Sequence, residues 1–439
     1  MIYSIKMLFI RINFFFPFLL GLKYILYKII RIKNNFYFFN SENEIVQFVN
    51  NSILTIPYYQ NRYSHLNIKS LNDFVENIDF INKDIVMNSW DDFQLPGNHQ
   101  KRIVSGTTGG TSGKPLKLVL PKNRFVFELA TMYSMWENVG WNGQTRAILR
   151  NHKLKDNQVF VVDWLKKEVI FDAFRTSDEY YFQIYNTIKE HKISYIHAYP
   201  SSAYQFSQFL NRLNLDVSFI KSFLCGSEAL LPEQKELIQG QLGINIYHWY
   251  GHSEKLVLGG YCKDSELIHI EPTYGYFELI DKNGINIKVK GEIGEIVGTT
   301  LHNPYMPLIR YKTGDFAEYA GDYCEKCNRY LTLIRNIQGR WDNNKIYLKN
   351  GTYVTTTALN LHSDLYLNIL GLQYVQRERG SLEIFIVKGV NFNTLIESRF
   401  KSHFDNCFQG KCSYQIIYID KILKEPNGKF FPLKQYIKD

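Results

Sequence analysis

Short segments of two kinds alternate along the first half of the sequence. Segments rich in branched and aromatic residues, such as 145–149 and 159–162, have the composition of buried strands. They alternate with segments of helical periodicity, such as 178–191 and 203–213. Strands joined by helices pair in parallel, and such a sheet is covered on both faces. The alternation therefore predicts an α/β fold that binds its ligand at the carboxyl ends of the strands.

The pattern changes twice further along the chain. Residues 274–309 contain short strands and glycine turns without intervening helices, which predicts a smaller β subdomain. After Gly339 the sequence predicts α+β structure, with strands at 382–387 and 413–418 and a helix at 393–403. A chain of 439 residues exceeds the size of a single hydrophobic core. We therefore expect three parts.

These parts are a basic hydrophobic N-terminal segment, a large domain with mainly parallel strands and the β subdomain, and a small mobile α+β domain. Their expected ranges are 1–40, 41–340 and 341–439.

The net charge of +9 is concentrated at the N-terminus. Residues 1–40 contain no Asp or Glu, and their basic residues are Lys6, Arg11, Lys23, Lys28, Arg31 and Lys33. The remainder is nearly neutral, which argues against a nucleic-acid interface.

The same N-terminal segment is rich in apolar residues, but its longest uncharged run, 12–22, is shorter than the roughly 20 residues that span a bilayer. Two interpretations remain for 18–33: an interfacial helix that makes residues 1–33 a peripheral membrane anchor, or a helix packed on its own domain.

Six cysteines in a chain of this length do not form a disulfide scaffold. We therefore expect a cytoplasmic protein, either free or peripheral at the inner face of the membrane.

Residues 104–118 read VSGTTGGTSGKPLKL. Glycines allow backbone N–H groups to surround an anion, while the hydroxyls and Lys114 supply further donors and charge, so this segment predicts a phosphate-binding loop. It is not a Walker loop, because Thr108 and Pro115 stand where that motif requires Gly and Ser or Thr. The alternative is a flexible Gly/Ser linker.

Four further motifs follow, at 248–254 (HWYGHSE), 310–315 (RYKTGD), 337–342 (IQGRWD) and 427–429 (NGK). In order and spacing, the five motifs together resemble the adenylate-forming superfamily, specifically the phenylacetate-CoA ligase-like branch that includes capsular polysaccharide biosynthesis proteins. The resemblance extends from Ser105 to Lys429. It implies ATP-dependent activation of a small carboxylic acid to an acyl-AMP with release of pyrophosphate. Acyl transfer to coenzyme A or another acceptor would follow, with cell-surface polysaccharide synthesis as one setting.

The resemblance also implies a role for individual residues. Asp342 would be the hinge before the small domain. The residues implied for ATP and Mg²⁺ are Ser105, Thr107, Thr108 and Lys114 at the β- and γ-phosphates, Ser227, Glu228, Tyr250 and Gly251 at adenine, Glu254 at magnesium, Asp315 and Arg340 at the ribose, and Lys429 at the α-phosphate.

The chemistry fits these residue types. An ionised carboxylate is already a nucleophile, so adenylation needs positioning and neutralisation of phosphate charge rather than a general base. Asn343 and Phe431 depart from the Asp and Arg common at these positions, which puts the second half-reaction in doubt. The acyl pocket would use scattered residues such as Tyr133, Trp136 and Tyr199, which do not identify the acid. Alternative functions are a nucleotidyl transferase that leaves AMP on its substrate and a non-catalytic nucleotide-binding protein.

Cys324 and Cys327 form a Cys-x2-Cys pair typical of zinc knuckles. Cys262 and His269, on the far side of the β subdomain, would complete a closed structural site, a ligand pattern also found in some relatives of this branch. The alternative is a set of reduced core cysteines.

Overall fold

The computed structural model of the chain describes residues 25–26, 28–29, 42–108, 116–339, 345–356, 359, 365, 368–421 and 432–437. Four short helices open the main body. They are α1 Glu42–Thr55, α2 Pro57–Tyr63, α3 Leu71–Asn77 and α4 Lys83–Asn88. Side chains cap two of them, because Ser70 accepts from the Asp73 N–H at 3.1 Å and Asn82 from the Ile85 N–H at 2.9 Å.

A hairpin of β1 Ile103–Thr107 and β2 Lys117–Pro121 carries the glycine-rich loop. The Thr108 N–H donates to the Leu116 carbonyl at 3.0 Å, and the Leu116 N–H donates to the Thr108 hydroxyl at 2.9 Å. The two ends of 109–115 are therefore held side by side, while that segment, with Lys114, lies outside the described residues.

One twelve-stranded sheet forms the centre of the molecule, in the order β11-β12-β13-β14-β10-β9-β8-β7-β6-β3-β5-β4. Its strands are β3 Arg146–Leu149, β4 Phe160–Asp163, β5 Glu168–Phe171, β6 Tyr195–Ala198, β7 Ser222–Gly226, β8 Asn245–Gly251, β9 Leu258–Gly260, β10 Ile268–Ile270, β11 Gly275–Ile280, β12 Ile293–Thr300, β13 Tyr311–Cys324 and β14 Arg329–Gln338.

Strands β5, β3, β6, β7 and β8 pair in parallel, and the other pairs are antiparallel. The predicted α/β fold is confirmed. The antiparallel strands expected as a β subdomain continue the same sheet, because β9 pairs with β8.

Helices cover both faces of the parallel half. Alternation along β3 directs Ala147 and Leu149 to a core shared with α6 Asp178–Glu190 and α7 Pro200–Arg212. On the opposite face, α5 Arg124–Trp136 packs against residues of β6, β7 and β8. Helix α8 Pro232–Lys235 continues as a π-helical segment, Glu236–Gln241.

Arg310 ties the N-terminal helices to the sheet. Its buried guanidinium pairs with Glu278 at 2.8 Å and donates to the carbonyls of Val75 and Ile78 at 2.6 and 2.7 Å. Within its motif Arg310 thus has a structural role.

The C-terminal part forms a separate core. A hairpin of β15 Lys345–Tyr347 and β16 Tyr353–Thr355 precedes a four-stranded sheet in the order β19-β18-β17-β20. This sheet and the long helix α9 form the predicted α+β unit. Their bounds are β17 Ile369–Gln376, β18 Ser381–Lys388, α9 Thr394–Phe408, β19 Ser413–Tyr418 and β20 Leu433–Gln435.

Four residues of the N-terminal segment are described. Ile25 packs against the α5 core, and the Lys28 ammonium pairs with Glu137, whereas Leu26 and Ile29 are about half exposed. Within the described ranges, none of the helices combines the length and apolar character needed to cross a membrane. Residues 1–24, 27 and 30–33 of the predicted anchor lie outside those ranges.

Candidate functional site

A cavity of about 1110 Å³ lies between α5 and the parallel half of the sheet. Arg150 and Ser227 directly follow β3 and β7, and Tyr250 is the last residue but one of β8. All three line the cavity. The carboxyl ends of parallel strands meet at one edge, which is why residues distant in sequence converge here.

The predicted adenine residues Ser227, Glu228, Tyr250 and Gly251 all line this cavity. Ser227 has a positive φ of 70°, an uncommon backbone conformation for a residue other than glycine. The Glu228 carboxylate accepts from the Ser201 N–H at 3.1 Å and from the Thr355 hydroxyl. Loss of water around the carboxylate raises the pKa of Glu228, against the opposing effect of these hydrogen bonds and of Arg150.

The predicted ribose ligand Asp315 also lines the cavity and is 5% exposed. The Tyr250 hydroxyl donates to its Oδ2 at 2.8 Å, and His252 Nε2 lies 3.9 Å from the same oxygen. Burial and the Asp315 carboxylate raise the pKa of Tyr250 well above its usual value, so the phenol retains its proton. The arrangement fixes a carboxylate that can accept from ligand hydroxyls.

The predicted phosphate side is described in part. Thr108 and Glu254 line the cavity, whereas Ser105 and Thr107 lie on β1 and are not among the described residues that line it. Lys114, Arg340, Asp342 and Lys429 lie outside the described chain, as do Asn343 and Phe431. Their assigned roles stay predictions.

Sequence reasoning missed Arg150. Its guanidinium contacts His197 Nε2, donates to the Ser227 hydroxyl at 2.8 Å and lies 4.5 Å from the Tyr199 ring. Burial and the charges of Arg150 and Arg146 lower the pKa of His197 well below its usual value, so the imidazole is neutral. The position of Arg150, immediately after a predicted strand, was a usable signal.

Sequence reasoning also missed the pair of Lys255 and Glu128, at 2.7 Å beside Glu254. Burial alone would raise the pKa of Glu128, but Lys255, Arg124 and Arg150 outweigh it and lower the pKa. Glu128 is thus an anion held on α5 by surrounding cations. Nothing in the sequence links α5 to residue 255.

Aromatic side chains form one wall of the cavity, although Tyr199, expected in the acyl pocket, is not among the described residues that line it. Tyr133 and Trp136 of α5 line the cavity, together with Trp249 of β8. A Cβ atom at Gly226 would lie 2.3 Å from the Trp249 ring. Only glycine at this position allows Trp249 to lie across β7.

The C-terminal hairpin docks at the rim of the cavity. Thr355 donates to Glu228, Gln234 donates to the Tyr353 hydroxyl at 2.9 Å, and Lys345 pairs with Glu233 at 3.2 Å. Glu228, which the resemblance assigns to the adenine pocket, therefore also contacts the C-terminal hairpin.

A second site lies in the antiparallel half. The candidate ligand atoms of Cys262, His269, Cys324 and Cys327 all lie within 4.8 Å of one another. Tetrahedral zinc places its S and N ligands about 3.5–3.8 Å apart, and Cys327 Sγ lies 3.5 Å from His269 Nε2. His269 Nδ1 lies 2.8 Å from the Leu267 carbonyl, which assigns the proton to Nδ1 and leaves the Nε2 lone pair facing the sulfurs. The geometry fits a closed zinc site.

Comparisons with known proteins agree with this architecture. CapK of Staphylococcus aureus is 20% identical over 345 residues, covering 75% of this chain and 74% of that protein. A phenylacetate-coenzyme A ligase of Pseudomonas putida is 29% identical over 150 residues, 33% of each chain. No family model matches the sequence.

Among solved structures, 2-hydroxyisobutyryl-CoA ligase with 2-HIB-AMP and CoA in the thioesterification state has a TM-score of 0.59 at 15% identity. The match covers 90% of this chain and 88% of that one. An open conformation of the same ligase gives a TM-score of 0.55 at 14% identity, covering 90% of each chain. The chain therefore has the fold of these adenylate-forming ligases, and its sequence is similar to CapK and to the phenylacetate-coenzyme A ligase.

Proposed function

We propose that this protein is an ATP-dependent ligase that activates a small carboxylic acid as an acyl-AMP and releases pyrophosphate. One observation carries the proposal: the Tyr250–Asp315 pair and Glu228 line the same cavity as Thr108, the anchor of the glycine-rich loop. A hydroxyl-accepting carboxylate and the residue that precedes the glycine-rich segment thus line one cavity at the strand ends, where a nucleotide is expected. The aromatic wall leaves room for an acid beside it.

The chain's own residues act by positioning. Asp315, held by Tyr250, accepts from the ribose hydroxyls, while Thr108 and the loop it anchors donate to the phosphates. Glu254 is the carboxylate that would hold Mg²⁺, a hard cation that prefers oxygen ligands and neutralises phosphate charge when bound. The acid attacks as its carboxylate, so no general base is required.

Coenzyme A is our proposed acceptor for the second step, supported by the solved ligase that holds 2-HIB-AMP and CoA in one fold. The resemblance of the five motifs to capsular polysaccharide biosynthesis proteins supports a setting in cell-surface polysaccharide synthesis. The expected division at 341 is part of the same proposal, with Asp342 as the hinge, residues 341–439 as the mobile domain and the cytoplasm as the location. Structural zinc at the Cys3His cluster completes it.

The test is carboxylate-dependent pyrophosphate exchange over a panel of acids, with hydroxylamine added in a parallel series. Acid-dependent exchange together with hydroxamate formation supports an acyl-AMP ligase. Exchange without hydroxamate would indicate a nucleotidyl transferase, and ATP binding without exchange a non-catalytic protein. Either result contradicts the proposal.

Replacing Asp315 by Asn should raise KM for ATP about tenfold or more, because a neutral amide accepts more weakly from the ribose hydroxyls than a carboxylate. Exchange kinetics at varied ATP provide the measurement. The matched control is Asp322→Asn, the same change elsewhere on β13 at a residue that does not line the cavity within the described chain. An unchanged KM in Asp315→Asn would remove Asp315 from the nucleotide site.

Removing residues 1–33 should abolish salt-sensitive binding to anionic vesicles. Basic side chains beside apolar ones bind such surfaces, and the attraction is screened over about 10 Å at 0.1 M salt. Vesicle co-sedimentation measures this. Lys28→Gln is the control, because Lys28 already pairs with Glu137 and should matter less than Lys23 or Arg31. A full-length protein that ignores the vesicles would instead support a packed N-terminal helix.

A further inference from the structure

Arg146 lines the cavity at the amino end of β3, away from the strand ends that carry the proposed nucleotide site. It begins β3, whereas Arg150, which contacts Ser227, follows the last residue of the same strand. Residues four apart on a strand lie on the same face, separated by about 13 Å. Both arginines line the cavity. An acid whose carboxylate reaches the nucleotide end can therefore place its other end beside Arg146.

The surroundings of Arg146 are aromatic and dry. Its guanidinium carbon lies 5.1, 5.3 and 5.5 Å from the rings of Trp136, Tyr133 and Trp141, and the residue is 3% exposed. Nη2 pairs with the Glu168 carboxylate and lies 3.4 Å from the Tyr133 hydroxyl. Nε and Nη1 are buried and have no hydrogen-bond partner among the described residues.

Buried donors are nearly always paired in folded proteins, because an unpaired one costs about 1–3 kcal/mol. A buried arginine that lines a ligand cavity with two unpaired donors is therefore suited to bind an acceptor on a ligand. We infer that Arg146 binds an oxygen atom at the distal end of the acid. The inference rests on the proposed function, whose acid site it refines.

The charge balance selects the kind of oxygen. Glu168 already neutralises the guanidinium, and a second carboxylate would lie close to Glu168 in a poorly solvated site. An uncharged carbonyl, amide or hydroxyl oxygen satisfies the donors without this repulsion. The substrate class is thus a carboxylic acid that carries an uncharged oxygen acceptor on the order of 10 Å from the activated group.

The test compares three acids with the same number of chain atoms: an unsubstituted straight-chain acid, a keto acid that ends in a methyl ketone, and a dicarboxylic acid. The comparison is repeated at several chain lengths. Binding to the full-length protein is followed by tryptophan fluorescence, since Trp136 and Trp141 flank Arg146. At the best length, the keto acid should bind about tenfold more tightly than the other two, the value of one hydrogen bond to a charged group.

The double variant Arg146→Met/Glu168→Gln removes the donors without leaving an unpaired buried charge. It should lose this preference and still bind the straight-chain acid. Arg212→Met removes an exposed guanidinium that is not among the described residues lining the cavity, and it should keep the preference.

Equal binding of the three acids, tighter binding of the dicarboxylic acid, or a preference that survives in the double variant would overturn the inference. Pyrophosphate exchange with the same acids tests the proposed function separately. A preference in binding without exchange supports the role of Arg146 and contradicts the ligase. Exchange without a preference among the three acids supports the ligase and contradicts the role of Arg146.

Discussion

Replacing Lys429 by Ala should reduce carboxylate-dependent pyrophosphate exchange by on the order of 10²–10³-fold, while ATP still binds. The resemblance assigns Lys429 to the α-phosphate, where negative charge develops as the acid attacks. Removing one group that stabilises such charge typically costs this much in rate. Because the effect falls on the transition state, kcat should fall much more than KM changes.

The control is Lys421→Ala. Lys421 is exposed and lies eight residues before Lys429 in the sequence. It removes the same charge and should leave exchange unchanged. Near wild-type exchange in Lys429→Ala would show that another cation performs this role.

Cys324→Ser should lower the melting temperature by about 10 °C and reduce the zinc content in parallel. A structural zinc site contributes several kcal/mol to folding, and 1 kcal/mol shifts the melting temperature by roughly 2–4 °C in a large domain. The ligand atoms of Cys262, His269, Cys324 and Cys327 are close enough for one ion to bind all four. Since such a site has no open position, the folded fraction should keep much of its exchange activity.

Elemental analysis of protein purified without chelator, combined with calorimetry, provides the measurement. Cys412→Ser is the matched control, because Cys412 is buried to nearly the same extent as Cys324 but lies outside the cluster. A wild-type protein with far less than one zinc per chain would show that these are reduced cysteines.

The parts of the fold that sequence predicted depend on local signals. The strand at 413–418 matches β19, and the helix at 178–191 matches α6 within one residue, because composition, periodicity and caps act over a few neighbouring residues. The rule that ligands bind at the carboxyl ends of parallel strands agrees with the cavity, since Ser227 directly after β7 and Tyr250 near the end of β8 both line it.

The contacts that sequence could not predict depend on register between distant strands. Arg146 meets Glu168 because β3 pairs with β5 in one parallel register, which no local pattern specifies. Thr355 reaches Glu228 only because the C-terminal hairpin docks at the rim. A contact between two separately packed units depends on the shapes of both surfaces. A sequence motif can therefore single out a residue such as Glu228 without showing which residue contacts it.

The cysteine cluster has a consequence for synthesis of the protein in the cell. Cys262 leaves the ribosome before β11, β12 and β13 exist, and its partners Cys324 and Cys327 follow only at the end of β13. Pairing of β10 with β14 joins the two groups, and contacts between such distant segments form slowly. Until then, free thiols and unpaired strand edges are exposed together, a combination prone to aggregation. We therefore expect zinc starvation to reduce the yield of soluble chain before it affects molecules that have already folded.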